Sequence, residues 1–288
     1  MNHKDFLVAE NTRVKLKDYD TDFTGNYQNK EDAAADLQAD VTRLSELQDV
    51  LYAQDVYSLL IVFQAMDAAG KDSAIKHVMS GVNPQGCEVT AFKEPSSEER
   101  DHDYLWRTYN ALPRRGHIGI FNRSHYEEVL VVRVHPEILQ SQQLPDRVKN
   151  DPNVWKQRFE QIRNFERNLA QNGTVILKFF LHVSKEEQKK RFLKRINTPE
   201  KNWKFAAGDV REREHWDDYM KAYSEAIENT STKDAPWYII PADHKWFTRA
   251  AVADVIVKKL ESLDLKYPQL NEAHLKELNK AKEILESE

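Results

Sequence analysis

A single cysteine, Cys87, stands in 288 residues. No disulfide can form within the chain, and cysteine-based zinc sites are excluded. Long apolar runs are missing too: nothing approaches the ~20 residues that a membrane helix needs. The opening Met1-Asn2-His3-Lys4-Asp5-Phe6 lacks the charged-then-apolar layout of a signal peptide, so a cytoplasmic protein with no membrane partner is expected. The net charge of −5 argues against a general nucleic-acid binder. There is no internal repeat and no low-complexity linker. His125 and His135 have no serine or cysteine motif beside them, so a nucleophilic triad is not expected, and satisfied or exposed histidines are the simpler reading.

What is present is a rhythm of strands and helices. Residues 1–30 read as an extended, polar lead-in. Leu37, Val41, Leu44, Leu47 and Leu51 then recur at helical spacing. Five strand-like runs follow: Ser58–Gln64, Cys87–Lys93, His117–Asn122, Thr174–Val183 and Trp237–Pro241. Helix-length periodic segments separate most of them, such as 151–171. Near-continuous apolar strands alternating with helices predict a parallel sheet covered on both faces. The expected fold is therefore α/β, a three-layer α/β/α arrangement around a five-stranded parallel sheet. Between the fourth and fifth strands, residues 185–232 hold two helical patterns and no strand, the place where small-molecule kinases carry a lid. The expected division is a lead-in and helix over 1–54, an α/β domain over 55–262, and a charged C-terminal helix over 263–288 suited to packing or oligomerisation.

The densest chemical signal is Phe63-Gln64-Ala65-Met66-Asp67-Ala68-Ala69-Gly70-Lys71-Asp72. An apolar strand empties into a small-residue loop ending in Gly-Lys, and a helical pattern follows. Backbone N–H groups of Ala68, Ala69, Gly70, Lys71 and Asp72 would then converge on an anion, with Lys71 adding a point charge. The match to G-x-x-x-x-G-K-[ST] is imperfect. Ala65 replaces the first glycine, and Asp72 replaces the hydroxyl that would bind Mg²⁺. Asp67 inside the loop makes sense beside phosphates when a divalent cation lies between them.

The third strand ends in Asn122-Arg123, where phosphate-loop proteins usually carry an Asp that holds Mg²⁺ or its waters. A neutral Asn122 cannot supply that charge, which leaves Asp67 as the anionic metal partner. Arg123 offers a planar fork for phosphate oxygens. Arg133, isolated among valines, needs either a buried ion pair or a phosphate. Lys189, Lys190, Arg191, Lys194 and Arg195 crowd one helix; they form either a solvated surface or a face for a polyanion. Trp216, Tyr219, Tyr223 and Ile227, at helical spacing, read as core.

With these residues in view, the chain resembles the polyphosphate kinase 2 family, in its class III form, from about residue 52 to 260. The similarity rests on the phosphate loop, on Ser80–Gly86, on Phe92-Lys93-Glu94-Pro95-Ser96, on Phe121–Pro136, on the lid residues Arg195, Lys201, Trp203, Lys204, Asp209, Arg213 and Trp216, and on Pro241–Trp246. The resemblance implies reversible phosphoryl transfer from inorganic polyphosphate to AMP and ADP with Mg²⁺ or Mn²⁺. The acceptors would be adenine nucleotides, with guanine nucleotides a further candidate, in a homodimer or homotetramer. It implies that Asp67, Lys71, Asn122 and Arg123 carry catalysis, with Asp67 on the metal. Lys93, Arg133, Arg191, Lys194, Arg195 and Lys204 would contact polyphosphate. Asn122, Arg123, Glu127 and Glu128 would lie beside the nucleotide. Two rivals remain at this point: an ATP-dependent nucleoside monophosphate kinase, which would want the regular loop, and a non-catalytic nucleotide sensor.

Overall fold

The computed structural model describes the backbone of all 288 residues and every side chain except those of Lys204 and Ala207. Six strands form one sheet: β1 (Leu7–Val8), β2 (Ser58–Gln64), β3 (Cys87–Ala91), β4 (Ile118–Asn122), β5 (Thr174–His182) and β6 (Trp237–Pro241), in the order β1-β6-β5-β2-β4-β3. All neighbours pair in parallel except β1, which runs antiparallel to β6. The five parallel strands are those expected. β1 is an addition at the edge: a two-residue strand leaves no periodic trace. The lead-in also buries Phe6, Val8, Val14 and Leu16, so it packs as part of the core.

β2 is apolar almost throughout because it is central. Every one of its seven residues is buried, with β4 on one side and β5 on the other. Helices layer both faces. The long helix Lys30–Gln54, capped by the Asn29 side chain on the Asp32 amide at 3.0 Å, packs along helix Lys245–Glu261, which in turn contacts helix Lys71–Val78. Helix Val154–Gln171 packs on β5 and on helix Trp216–Thr230. Trp216, Tyr219, Tyr223 and Ile227 of that last helix are buried core, as their spacing predicts.

One polar group sits at the centre of this core. Lys178 on β5 is fully buried and pairs with Glu166 at 2.6 Å. It also donates to the Tyr126 hydroxyl at 2.9 Å and to the Thr230 carbonyl at 2.8 Å. With all three ammonium donors used, this charge locks β5 to the surrounding helices.

The register does the work of assembling a site. Phe63 lies opposite Asn122 on one side and Phe179 on the other. The loop after β2 and the turn after β4 therefore emerge side by side at the carboxyl edge of the sheet, where open α/β sheets bind ligands. The C-terminal helix Glu272–Glu286 lies apart, with Leu275, Leu278, Ile284 and Leu285 exposed. Among the described residues no helix is long and apolar enough to cross a membrane.

Candidate active site

The loop from Ala65 to Gly70 closes on helix Lys71–Val78. Gly70 has φ +116, beyond the comfort of an L side chain, and Ala68 is left-handed at φ +60. Ala65 is not among the positive-φ residues, so the missing first glycine removes no freedom that this backbone uses. The Lys71 ammonium turns back and donates to the Ala65 carbonyl at 2.9 Å. It is half-buried, not fully exposed as its loop-end position suggests. Burial pushes its pKa below the ordinary lysine value, against the opposing pull of Asp67.

Arg123, just past the end of β4, also adopts a left-handed backbone, φ +63, and its amide donates to the Phe63 carbonyl at 3.0 Å. Non-glycine residues in this region carry about 1–3 kcal/mol of strain and cluster at functional sites. The bend aims Arg123 across to Asp67, whose Oδ1 accepts at 2.9 Å, while Glu127 lies 3.7 Å from the same guanidinium. Asn122 donates from Nδ2 to Oδ1 of Asp72 at 2.8 Å. Burial raises the Glu127 carboxyl above its usual range.

Asp67, Lys71, Asp72, Asn122 and Arg123 open into a cavity of about 680 Å³, whereas Glu127, expected beside the nucleotide, stands behind Arg123 and does not line it. Among the described residues eight cations face it against four carboxylates: Lys71 and Arg123 from beyond the ends of β2 and β4, Lys93 after β3, Arg191, Lys194, Arg195 and Lys201 from the 185–232 segment, and Lys245 from helix Lys245–Glu261. Such an excess of positive charge in a walled cleft concentrates anions. Phosphate esters and anhydrides fit it.

Several expected site residues sit elsewhere. Arg133 forms an ion pair with Glu225 and lies over Trp155 and Phe159; its charge is met by the fold, and it does not line the cavity. Glu128 is buried against Arg158 at 3.2 Å and Gln142 at 3.1 Å, turned away from the cleft by the short helical turn His125–Val129. Arg191 reaches the cavity wall, but it is a strut. It is buried, and its guanidinium donates to the carbonyls of Ala68, Ala69, Ala242 and Asp243 at 2.5–3.1 Å and to Glu187 at 2.8 Å. Lys189 and Lys190 are exposed and outside the cavity lining. The Lys204 side chain lies outside the described residues. His125 is buried, 3.8 Å from Glu166.

Lys245 is the contributor that sequence reasoning passed over. Burial, reinforced by Arg191, lowers its pKa to about 8. The signal was available: it opens a helix just after the last parallel strand, at the same carboxyl edge. Four residues on, Arg249 donates to the Ser73 hydroxyl at 2.8 Å. Asp209, paired with Arg195 at 3.9 Å, also lines the cavity.

Residues 27–268 match the family model described as Polyphosphate kinase 2 (PPK2). This chain belongs to the polyphosphate kinase 2 family. It is 53% identical to an ADP-polyphosphate phosphotransferase of Rhodopseudomonas palustris, over 96% of this chain and 95% of that one. It is 46% identical to an AMP/ADP-polyphosphate phosphotransferase of Meiothermus ruber, over 92% and 96%. The crystal structure of polyphosphate kinase 2 from Arthrobacter aurescens superposes with a TM-score of 0.84 at 40% identity, covering 93% of each chain. The fold, with its phosphate loop at the carboxyl edge of a parallel sheet, is that of the phosphate-loop kinases.

Proposed function

We propose that this enzyme transfers the terminal phosphoryl group of inorganic polyphosphate to AMP and to ADP, giving ADP and ATP, and runs the reaction in both directions. The observation that carries this reading is the meeting of Lys71, Arg123 and Asp67 in a cleft with twice as many cations as carboxylates. The names of the relatives support the same substrates.

Both substrates are polyanions, and the acceptor is a phosphate oxygen already ionised at neutral pH, so no strong general base is required. The acceptor oxygen forms a bond to the terminal phosphorus, and the bridging P–O bond breaks in line. The electron pair leaves on the shortened chain. Positioning and charge neutralisation carry such a transfer. Lys71 and the loop N–H groups hold the phosphate at the transfer point. Arg123 spans donor and acceptor oxygens, exchanging its contact with Asp67 for phosphate. Lys93, Lys194, Arg195 and Lys201 steer the chain.

Asp67 fits a hard divalent cation, because a partly exposed carboxylate reaches the cleft with one oxygen on Arg123. Among the described residues no three acidic, histidine or cysteine groups gather into a full metal cage. That suits Mg²⁺ or Mn²⁺, which take one or two carboxylates and complete their shell with phosphates and water. When bound, the ion neutralises charge that develops on the transferring group. Asn122 in place of an acid is the basis for accepting AMP as well as ADP, as in the class III members. The catalytic unit would span 55–262 with its lid at 185–232, and a homodimer or homotetramer would cover the exposed leucines of the C-terminal helix.

The deciding assay mixes AMP, Mg²⁺ and long-chain polyphosphate without ATP and measures ADP. ADP formation is the expected outcome. Formation only on adding ATP would make the protein a nucleoside monophosphate kinase, and no product in either case would leave a sensor.

A further inference from the structure

Outside the phosphate cleft, the helices Lys30–Gln54 and Lys245–Glu261 bring three carboxylates together. Asp36 and Asp40, one turn apart, share a face of the first, and Asp254 meets them from the second. They line a cavity of about 230 Å³ with Met1, Tyr27, Ala39 and Ala250. Asp254 is only 7% exposed, and its Oδ2 has no hydrogen-bond partner. Asp36 accepts from the Tyr27 hydroxyl at 2.5 Å. A buried, unpartnered carboxylate beside two others, where two long helices pack on each other, is costly in its ionised form unless a cation relieves it.

The chain's own cations relieve it only at a distance. The α-ammonium of Met1, His3 and Lys258 favour the ionised carboxylates through space. Among the described residues none of them makes an ion pair with Asp36, Asp40 or Asp254; Lys258 is paired with Glu261. Burial and the neighbouring Asp254 push Asp40 up to about 6, and Asp254 is raised as well, chiefly by burial. Among the described residues the three do not gather into a full metal cage, and the match in number of donors and acceptors favours an ammonium ion. Ammonium–carboxylate contacts run longer, about 2.7–2.9 Å against about 2.0–2.6 Å for metal–oxygen bonds. An –NH₃⁺ group has three donors for three acceptors. The small walls of Ala39 and Ala250 leave room for a short alkyl stem.

We propose that this cavity binds a small primary ammonium ligand, held by Asp36, Asp40 and Asp254. The proposal is independent of the phosphoryl-transfer reading.

The probe is 1,4-diaminobutane, added to the full chain without nucleotide, polyphosphate or divalent metal. Tetramethylammonium at equal ionic strength is the control that carries charge but no N–H donor. Calorimetric titration and thermal unfolding near neutral pH should show binding and a raised Tm with the diamine only. Asp254→Asn should weaken binding at least ~10-fold, a loss of about 1.4 kcal/mol, and Asp40→Asn should do the same if the first variant folds poorly. Affinity should fall below pH 6, where Asp40 takes up a proton. Asp67→Asn, which alters the phosphate cleft, should leave diamine binding unchanged. The transfer rate of Asp254→Asn should match wild type. No binding by wild type, equal binding of tetramethylammonium, or loss in Asp67→Asn with retention in Asp254→Asn would each overturn the proposal.

Discussion

Asn122 donates to Asp72 at 2.8 Å, tying the end of β4 to the first turn of the helix that follows the phosphate loop. Two departures from the usual phosphate-loop pattern are thereby one contact. An acid stands where the loop's hydroxyl is expected, and the neighbouring strand supplies a neutral amide in place of a second acid. The amide acts as donor to the displaced charge.

Asn122→Asp would set two carboxylates at hydrogen-bonding distance, and one of them would hold its proton to higher pH. The new acid's pKa would be raised in the folded state. Its protonated form would be tolerated at low pH, and stability would be lost as pH rises through that pKa. Relative to wild type, Tm should therefore fall on going from acid to neutral pH. The extra charge should also change the ratio of AMP to ADP rates. Parallel changes with both acceptors would sink the charge argument for acceptor range.

Lys71→Ala should leave a folded protein and lower kcat by ~10²-fold or more, the usual cost of one preorganised charge at a reacting group. The single bond to the Ala65 carbonyl predicts a loss of only about 1 kcal/mol in stability. Asp67→Asn should likewise cripple transfer and raise the Mg²⁺ concentration for half-maximal rate. An unchanged metal requirement would move the metal ligand off Asp67.

Arg191 and Lys194 should separate cleanly, although they sit one turn apart on helix Lys185–Ile196. Arg191→Ala strands four backbone carbonyls that its guanidinium now satisfies. A destabilisation of about 3 kcal/mol is expected, read by denaturant unfolding, together with lost activity because the phosphate loop loses its strut. Arg191→Lys should not restore it, since a point charge cannot span the fork's partners. Lys194→Ala should keep its Tm and raise KM for polyphosphate, by a factor that shrinks with added salt. Equal Tm losses in both would mean that this helix has no division of labour.

That contrast marks where the sequence stops being legible. The five parallel strands follow from short apolar runs, the loop from small residues ending in Gly-Lys after a strand, and the buried aromatic stripe from a repeat of about 3.6 residues; each is a local pattern. β1 has two residues and no period to see. Arg191, Lys194 and Arg195 look alike in the sequence; what distinguishes them is whether backbone carbonyls from two other segments arrive at the same point. Arg133 could have met an ion pair or a phosphate. Glu225, 92 positions away, decides for the ion pair. Lys245 stood in the segment Pro241–Trp246 but not among the expected site residues, since its neighbours Arg191 and Arg195 come from helix Lys185–Ile196.

Lys245 gives the phosphate cleft a pH response. Its folded pKa is about 8 against an ordinary 10.5, so it is charged below about pH 8 and neutral above. Under the proposed function, polyphosphate binding in the cavity that Lys245 lines would draw on that charge. KM for polyphosphate should therefore rise as pH climbs through 8, and binding near this pH should take up protons, because a bound polyanion raises the lysine's pKa. Stability runs the other way. Folding disfavours the protonated form, so the penalty is present below 8 and relieved between 8 and 10.5. Lys245→Arg keeps the charge at every accessible pH and should flatten the KM profile at the low-pH value. Lys245→Gln should flatten it at the high-pH value. Polyphosphate itself does not titrate its internal groups in this range, so a profile shared by wild type and Lys245→Arg would assign the response to another group and remove Lys245 from the binding face.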